Sequence, residues 1–163
     1  MEIIIRGGEP EDAQSYQRIY SHPTLYANTL QLPYPSVAQW RNKLAQNESI
    51  GRVSFVAEVE GRVVGDITLF TNNNPRIRHV VGLGIGVDPA FAGRGVGSKL
   101  LATGIDYAFN WLAAVRMELE VFTDNESAIG LYRKFGFAAE GVQRQAAFRN
   151  GQYCDVMLMA KLK

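Results

Sequence analysis

The hydrophobic pattern of the chain switches repeatedly between the two-residue period of a strand and the period of about 3.6 residues of a helix. Ile3-Ile4-Ile5-Arg6 reads as a first strand. Pro10-Glu11-Asp12 supplies a helix start, and Ala13, Tyr16, Ile19 and Tyr20 follow at helical spacing up to a stop before Pro23. Tyr26–Ser36 holds Pro33 and Pro35 and is expected to be irregular. Ser36 is expected to cap a second helix over Ser36–Ala45, with Val37, Trp40 and Leu44 on one face. Val53–Val59 and Arg62–Phe70 read as a hairpin about Glu60-Gly61, and Thr71–Arg78, with Asn72, Asn73, Asn74 and Pro75, as a loop.

Val80, Val81, Leu83, Ile85 and Val87 then form a strand of buried type that Pro89 must end. Leu100, Leu101 and Ile105 recur at helical spacing in a helix running to about Asn110. Met117–Phe122 alternates, with Leu119 and Val121 on one face. Asn125 or Asp124 can cap a further helix carrying Ala128, Ile129, Leu131 and Tyr132, which Gly136 ends in the left-handed region. Phe137–Arg144 and Tyr153–Lys161 read as strands about the hairpin turn Asn150-Gly151. The order β-α-α-β-β-β-α-β-α-β-β mixes hairpins with a helical crossover. It predicts an α/β (α+β) fold: a mixed, mostly antiparallel sheet flanked by helices.

Between the buried strand and its helix lies Gly93-Arg94-Gly95-Val96-Gly97-Ser98. The first N–H groups of a helix have no intrahelical partner, and the dipole adds about half a positive charge there. Glycines let a phosphate approach such a turn closely, and Arg94 adds a cation. The turn therefore fits an anion site, although a merely tight strand–helix connection would look the same. Two nucleotide motifs are disfavoured. Gly93, Gly95 and Gly97 have the wrong spacing for the dinucleotide fingerprint, and Ser98-Lys99 is in the wrong order for a P-loop.

With 163 residues, the chain is expected to form one domain over 1–163. A net charge of +1 offers no basic surface for nucleic acid, so any phosphate site is local. Cys154 is the only cysteine, which excludes an internal disulfide; it is expected in the core rather than as a nucleophile. No metal site is expected. The N-terminus lacks the pattern of a secretory signal, and no apolar run approaches the ~20 residues of a membrane span, so the expected location is the cytoplasm, away from membranes.

Arg94-Gly95-Val96-Gly97, after a strand ending Val87-Asp88-Pro89, resembles the acetyl-CoA pyrophosphate loop of the GNAT superfamily of N-acetyltransferases. That loop is usually written Gln/Arg-x-x-Gly-x-Gly/Ala. Its two glycines are Gly95 and Gly97, but its first position falls on Ala92. Asn125-x-x-Ala128-Ile129-x-Leu131-Tyr132-x-Lys134-x-Gly136-Phe137 resembles the second signature of the same superfamily. The element order is also that of the GNAT, or acyl-CoA N-acyltransferase, fold.

The resemblance implies direct transfer of an acetyl group from acetyl-CoA to a primary amine. It places the pyrophosphate on Gly93–Ser98 and implies that Asn125 contacts the pantetheine or the substrate side of the cleft. Tyr132 then protonates the departing thiolate, although a helical tyrosine also suits a core. A backbone N–H near Ile85, Gly86 and Val87 would polarise the thioester oxygen, and Gly84 and Gly86 suggest a bulge or a close approach to that strand. The glutamate that many relatives carry on this strand is absent from Leu83-Gly84-Ile85. Glu118, Glu120, Asp66, His79 and a water chain remain as candidates for the base.

Asn28–Tyr34 and Arg149–Asp155 further resemble a bacterial subgroup proposed to acetylate free amino acids or small amines. Tyr26, Asn28, Leu32, Tyr34 and Tyr153 are accordingly the expected substrate-binding residues, although Tyr26–Ser36 would serve equally as a packed connector. The partner is then a small-molecule amine, with a homodimer left open. A protein or peptide N-acetyltransferase and a non-catalytic CoA-binding module are the alternatives.

Overall fold

A computed structural model describes residues 1–163. The strands are β1 (Ile4–Gly7), β2 (Arg52–Val59), β3 (Arg62–Phe70), β4 (Val80–Val87), β5 (Arg116–Phe122), β6 (Ala138–Arg149) and β7 (Gln152–Leu162). The helices are α1 (Ala13–Tyr20), α2 (Pro23–Ala27), α3 (Val37–Gln46), α4 (Val96–Trp111) and α5 (Glu126–Lys134). All the strands form one sheet in the order β1-β2-β3-β4-β5-β7-β6. Neighbours are antiparallel except β4 and β5, which run parallel because α4 crosses between them.

Helices cover both faces. On one, α4 lies against β3 so closely that a Cβ on Gly104 would stand 2.6 Å from Ile67 Cδ1. Glycine at that position lets the helix seat, and Ile67, Leu69, Leu100, Leu101, Val81 and Leu83 form the larger core there. On the other face, α1 and α3 pack Tyr16, Ile19, Tyr20, Trp40 and Leu44 against Val56 and Val63.

The local signals explain most boundaries. Ser36 and Gln39 form a capping box at the start of α3. Gly136 at φ 90 ends α5, and Asn150-Gly151 makes the β6–β7 turn with φ 48 and 76. Three expectations are corrected. Pro23–Ala27, read in part as irregular, is a short helix, because a proline at the first helical position lacks only an N–H that would be orphaned anyway. β4 pairs with β3 without a bulge; the close approach at Gly86 is instead that of a side chain, Tyr20. Cys154 is half-buried on β7 near the hairpin end, outside both cores.

Candidate active site

β4 and β5 start together and then part. They pair at Val80–Arg116, Val81–Met117 and Gly82–Glu118 and at no later position. Beyond that point β4 stays with β3 as far as Val87, while β5 stays with β7 as far as Phe122. The Asp88 N–H donates to the Val64 carbonyl at 2.8 Å. By alternation along an antiparallel ladder, the N–H groups of Gly82, Gly84 and Gly86 turn toward β3, and those of Leu83, Ile85 and Val87 turn into the gap. The gap opens into a cleft of about 1150 Å³, more than the usual ~300–1,000 Å³ of a single small-ligand site.

One half of the cleft is built on the helix starts. Gly93 and Gly95 have φ of 72 and 85, and Gly95 caps α4. The first backbone bond of α4 is Lys99 N–H to Gly95 O, which leaves the preceding N–H groups free. Gly93, Gly95, Gly97 and Ser98 line the cleft here. Val96 contributes backbone alone, since its side chain is in the core, and the exposed Arg94 guanidinium stands 5.4 Å from the Phe91 ring centre. Ala92, at the position where the resemblance leads one to expect glutamine or arginine, is exposed and lines the same wall. Ile85 and Val87 line it from β4, whereas Gly86 is buried beneath Tyr20.

Asn125 and Tyr132 face this half from α5. Asn125 Oδ1 caps the helix by accepting from Ala128 N–H at 3.3 Å. Tyr132 is only 6 % exposed and packs edge-on against Phe137. It thus serves the core and the cleft together. Burial pushes its hydroxyl pKa up to about 12, which keeps it protonated at neutral pH.

The other half lies on the α1–α3 face, and most of its residues carry no sequence motif. Tyr16, Tyr20, Trp40, Ser54, Asp66 and Thr68 wall it. Tyr20 stacks on Trp40 at 4.8 Å between ring centres, and Tyr16 lies 5.0 Å from Trp40. The Tyr16 hydroxyl is buried without a hydrogen-bond partner. Asp66 is 3 % exposed and accepts one hydrogen bond, from the Tyr20 hydroxyl at 2.8 Å. Burial pushes its carboxyl up to about 7, and the Tyr20 bond opposes that rise. The one sequence signal for this half is an acid inside the apolar run Val63-Val64-Gly65-Asp66-Ile67, a charge that needs a reason to be buried.

The expected substrate residues divide. Asn28 lines the cleft, as do its neighbours Leu30 and Gln31, whereas Tyr26 lies half-buried outside it. Leu32 and Tyr34 are 81 % and 96 % exposed, and Tyr153, 69 % exposed, packs against Phe148 on the hairpin. These three are largely exposed and none lines the cleft. The hairpin strands line the cleft through Glu140, Gln143, Val156 and Leu158, and Arg149 holds the lining residues Asn28 and Phe122 from outside. Its guanidinium donates to Ala27 O at 3.3 Å and Asn28 Oδ1 at 3.4 Å, pairs with Asp124 and lies 4.5 Å from the Phe122 ring centre. Among the base candidates, Glu118 is held by Arg116 at 3.1 Å, Glu120 is exposed at the rim, and His79 lies outside the cleft.

The family model described as Acetyltransferase (GNAT) family matches residues 15–137. L-amino acid N-acetyltransferase AaaT of Escherichia coli K12 is 42 % identical over 162 residues, covering 99 % of each chain. Spermidine N(1)-acetyltransferase of the same organism is 28 % identical and covers 96 % of this chain and 84 % of its own. The crystal structure of a GNAT-family acetyltransferase from Streptococcus pneumoniae superposes with a TM-score of 0.84 at 28 % identity, covering 99 % of this chain and all of that one. The protein belongs to the GNAT family of acetyl-CoA-dependent N-acetyltransferases.

Proposed function

We propose that the acceptor is the primary amine of a free amino acid or a similarly small amine. The observation that carries this reading is the division of the cleft into two unlike halves. One half has free N–H groups at the start of α4, with the exposed Arg94 outside the lining beside Phe91. The other is an aromatic chamber with Asp66 at its floor and Lys43 and Arg52 at its rim. Neither cation pairs with a carboxylate; Lys43 lies over Trp40 at 4.7 Å and Arg52 over Phe70 at 5.2 Å. An ammonium toward Asp66 and a carboxylate toward Arg52 or Lys43 match the two charges of an amino acid.

The helix-start turn fits the donor's pyrophosphate. Gly93, Gly95 and Gly97 leave the backbone open to it, and Arg94 adds charge. Acetyl-CoA supplies an activated thioester. The inward N–H groups of Ile85 and Val87 provide donors for its acyl and pantetheine carbonyls. Asn125 keeps its amide N–H₂ free while its oxygen caps α5. Tyr132, protonated at neutral pH, is placed to give a proton to the coenzyme sulfur. Holding both substrates in one cleft contributes several kcal/mol by proximity alone.

A polyamine acceptor is the second reading, favoured by Glu118, Glu120 and Glu140 along the opposite rim. It ranks lower because Arg116 already engages two of them. In this reading the chain is one domain that works in the cytoplasm. The exposed edge strand β6 is the face offered to a second copy in a homodimer. No helix is long and apolar enough to cross a membrane. The test is thiol release from acetyl-CoA with L-amino acids, polyamines and peptides in parallel. The reading expects amino acids to give the highest kcat/KM; a polyamine or peptide optimum would replace it.

A further inference from the structure

The strand that carries a glutamate in many relatives offers no acid here. On the α1–α3 face β4 presents only Gly82, Gly84 and Gly86, while Val81, Leu83 and Ile85 pack toward α4. The bare face is used. A Cβ on Gly86 would collide with the Tyr20 hydroxyl and stand 3.3 Å from Asp66 Oδ1. Asp66, register partner of Gly86 on β3, therefore leans across into the space a β4 side chain would fill. Tyr20 holds Oδ1, and no protein donor reaches Oδ2. Asp66 is also the only acid lining the aromatic half of the cleft, since Glu118 and Glu120 lie on β5 and Glu140 on β6.

We infer that Asp66, delivered from β3 over the glycine face of β4 and oriented by Tyr20, is the group that takes the proton from the acceptor ammonium. This rests on the amine-acetyltransferase reading above. The ammonium gives one proton to Asp66 and frees its lone pair. The C–N bond forms as the thioester C–S bond breaks. Tyr132 passes the second nitrogen proton to the sulfur, the third stays on the amide, and the proton on Asp66 leaves to solvent.

The ionisable groups bearing on Asp66 are Tyr20 and Tyr16, both from α1. Its neighbours across the sheet, Val56 and Gly86, bring none. Burial raises the Asp66 carboxyl to about 7, so its accepting, ionised form grows as pH rises through that value. Tyr20 is a positioning residue whose hydrogen bond favours the ionised form.

The test compares wild type, Asp66→Asn and Tyr20→Phe across pH 5.5–9.5 as kcat/KM for an L-amino acid. Calorimetric acetyl-CoA affinity and carboxyl ¹³C NMR titration of the free protein run alongside. Wild-type kcat/KM should rise with an apparent pKa of about 7, matched by one carboxyl resonance. Asp66→Asn should lose about a hundredfold or more in kcat, drop both signals and keep its acetyl-CoA affinity. Tyr20→Phe should keep most of its activity at high pH while the inflection moves upward. Near-wild-type kcat in Asp66→Asn, or an inflection unmoved in Tyr20→Phe, overturns the inference while leaving the acetyltransferase reading intact. Absence of turnover in the wild type with every amine overturns both. If Asp66→Asn does not fold, the Tyr20→Phe profile and the NMR titration decide alone.

Discussion

Gly82 faces Glu118 in the last register pair joining β4 to β5, and the two strands part beyond it. The sheet is continuous below that pair and split above it. Leu83–Val87 on one side and Leu119–Phe122 on the other keep their outer partners. The backbone groups of β4 that a continuous parallel ladder would consume are therefore free for a ligand.

The free N–H groups at the start of α4 make a charge test of the donor site. Gly97 is a poor position for it, since a Cβ there would stand 3.2 Å from Leu131 Cδ2. Ser98, which lines the cleft in the first turn, is better. Ser98→Asp should weaken acetyl-CoA binding tenfold or more, about 1.4 kcal/mol, by calorimetry. The melting temperature should hold or rise, because an acid in the first turn favours the helix dipole. Lowered stability with unchanged affinity would remove the pyrophosphate from this turn.

Tyr132→Phe deletes one hydroxyl and keeps the ring against Phe137. A proton-donor role predicts a kcat lower by roughly tenfold to a thousandfold, with little change in acetyl-CoA affinity or melting temperature. Full kcat in the folded variant would mean that water protonates the thiolate.

Burial of Asp66 also gives stability a pH dependence with a definite sign. Its folded pKa is raised from 3.8 to about 7, so the folded state binds a proton that the unfolded state has lost. The contribution is fully present below about pH 4 and is lost as pH rises through about 7. It amounts to on the order of 4 kcal/mol. The wild-type melting temperature should carry this falling component between those limits, and Asp66→Asn should flatten it. A wild-type and Asn pair with parallel curves would show an Asp66 that titrates normally.

Arg149 ties the C-terminal end of α2 to the end of β5, across the mouth of the cleft. Arg149→Ala should raise the amine KM severalfold and leave acetyl-CoA affinity within about twofold. Tyr34→Ala, at an outer-surface position, serves as the control and should change neither. Equal losses for both substrates in Arg149→Ala would indicate a general folding role.

Much of the fold was legible because its signals are local: Ser36 and Gly136 at helix ends, Glu60-Gly61 and Asn150-Gly151 in hairpins, and alternation in β5. The donor half was legible for the same reason, since one strand–turn–helix supplies it. The acceptor half was not. Tyr16, Tyr20, Trp40, Ser54 and Asp66 come from four elements, and their spacing shows the ordinary periodicity of buried helix and strand faces. Only the register of β3 with β4 brings Asp66 over Gly86. The aromatic residues Tyr34 and Tyr153 looked like ligand contacts by composition, but nothing local tells which side of a proline-containing loop or hairpin faces inward.

Release of coenzyme thiol from acetyl-CoA, followed with the N-acetylated product by mass spectrometry across single primary amines, decides whether the chain transfers acetyl groups. One thiol should be released per N-acetyl product, with free L-amino acids the preferred acceptors and no release without an amine. Binding of acetyl-CoA at the α4 turn with no thiol released by any amine would contradict it, and would make the chain a CoA-binding module without turnover.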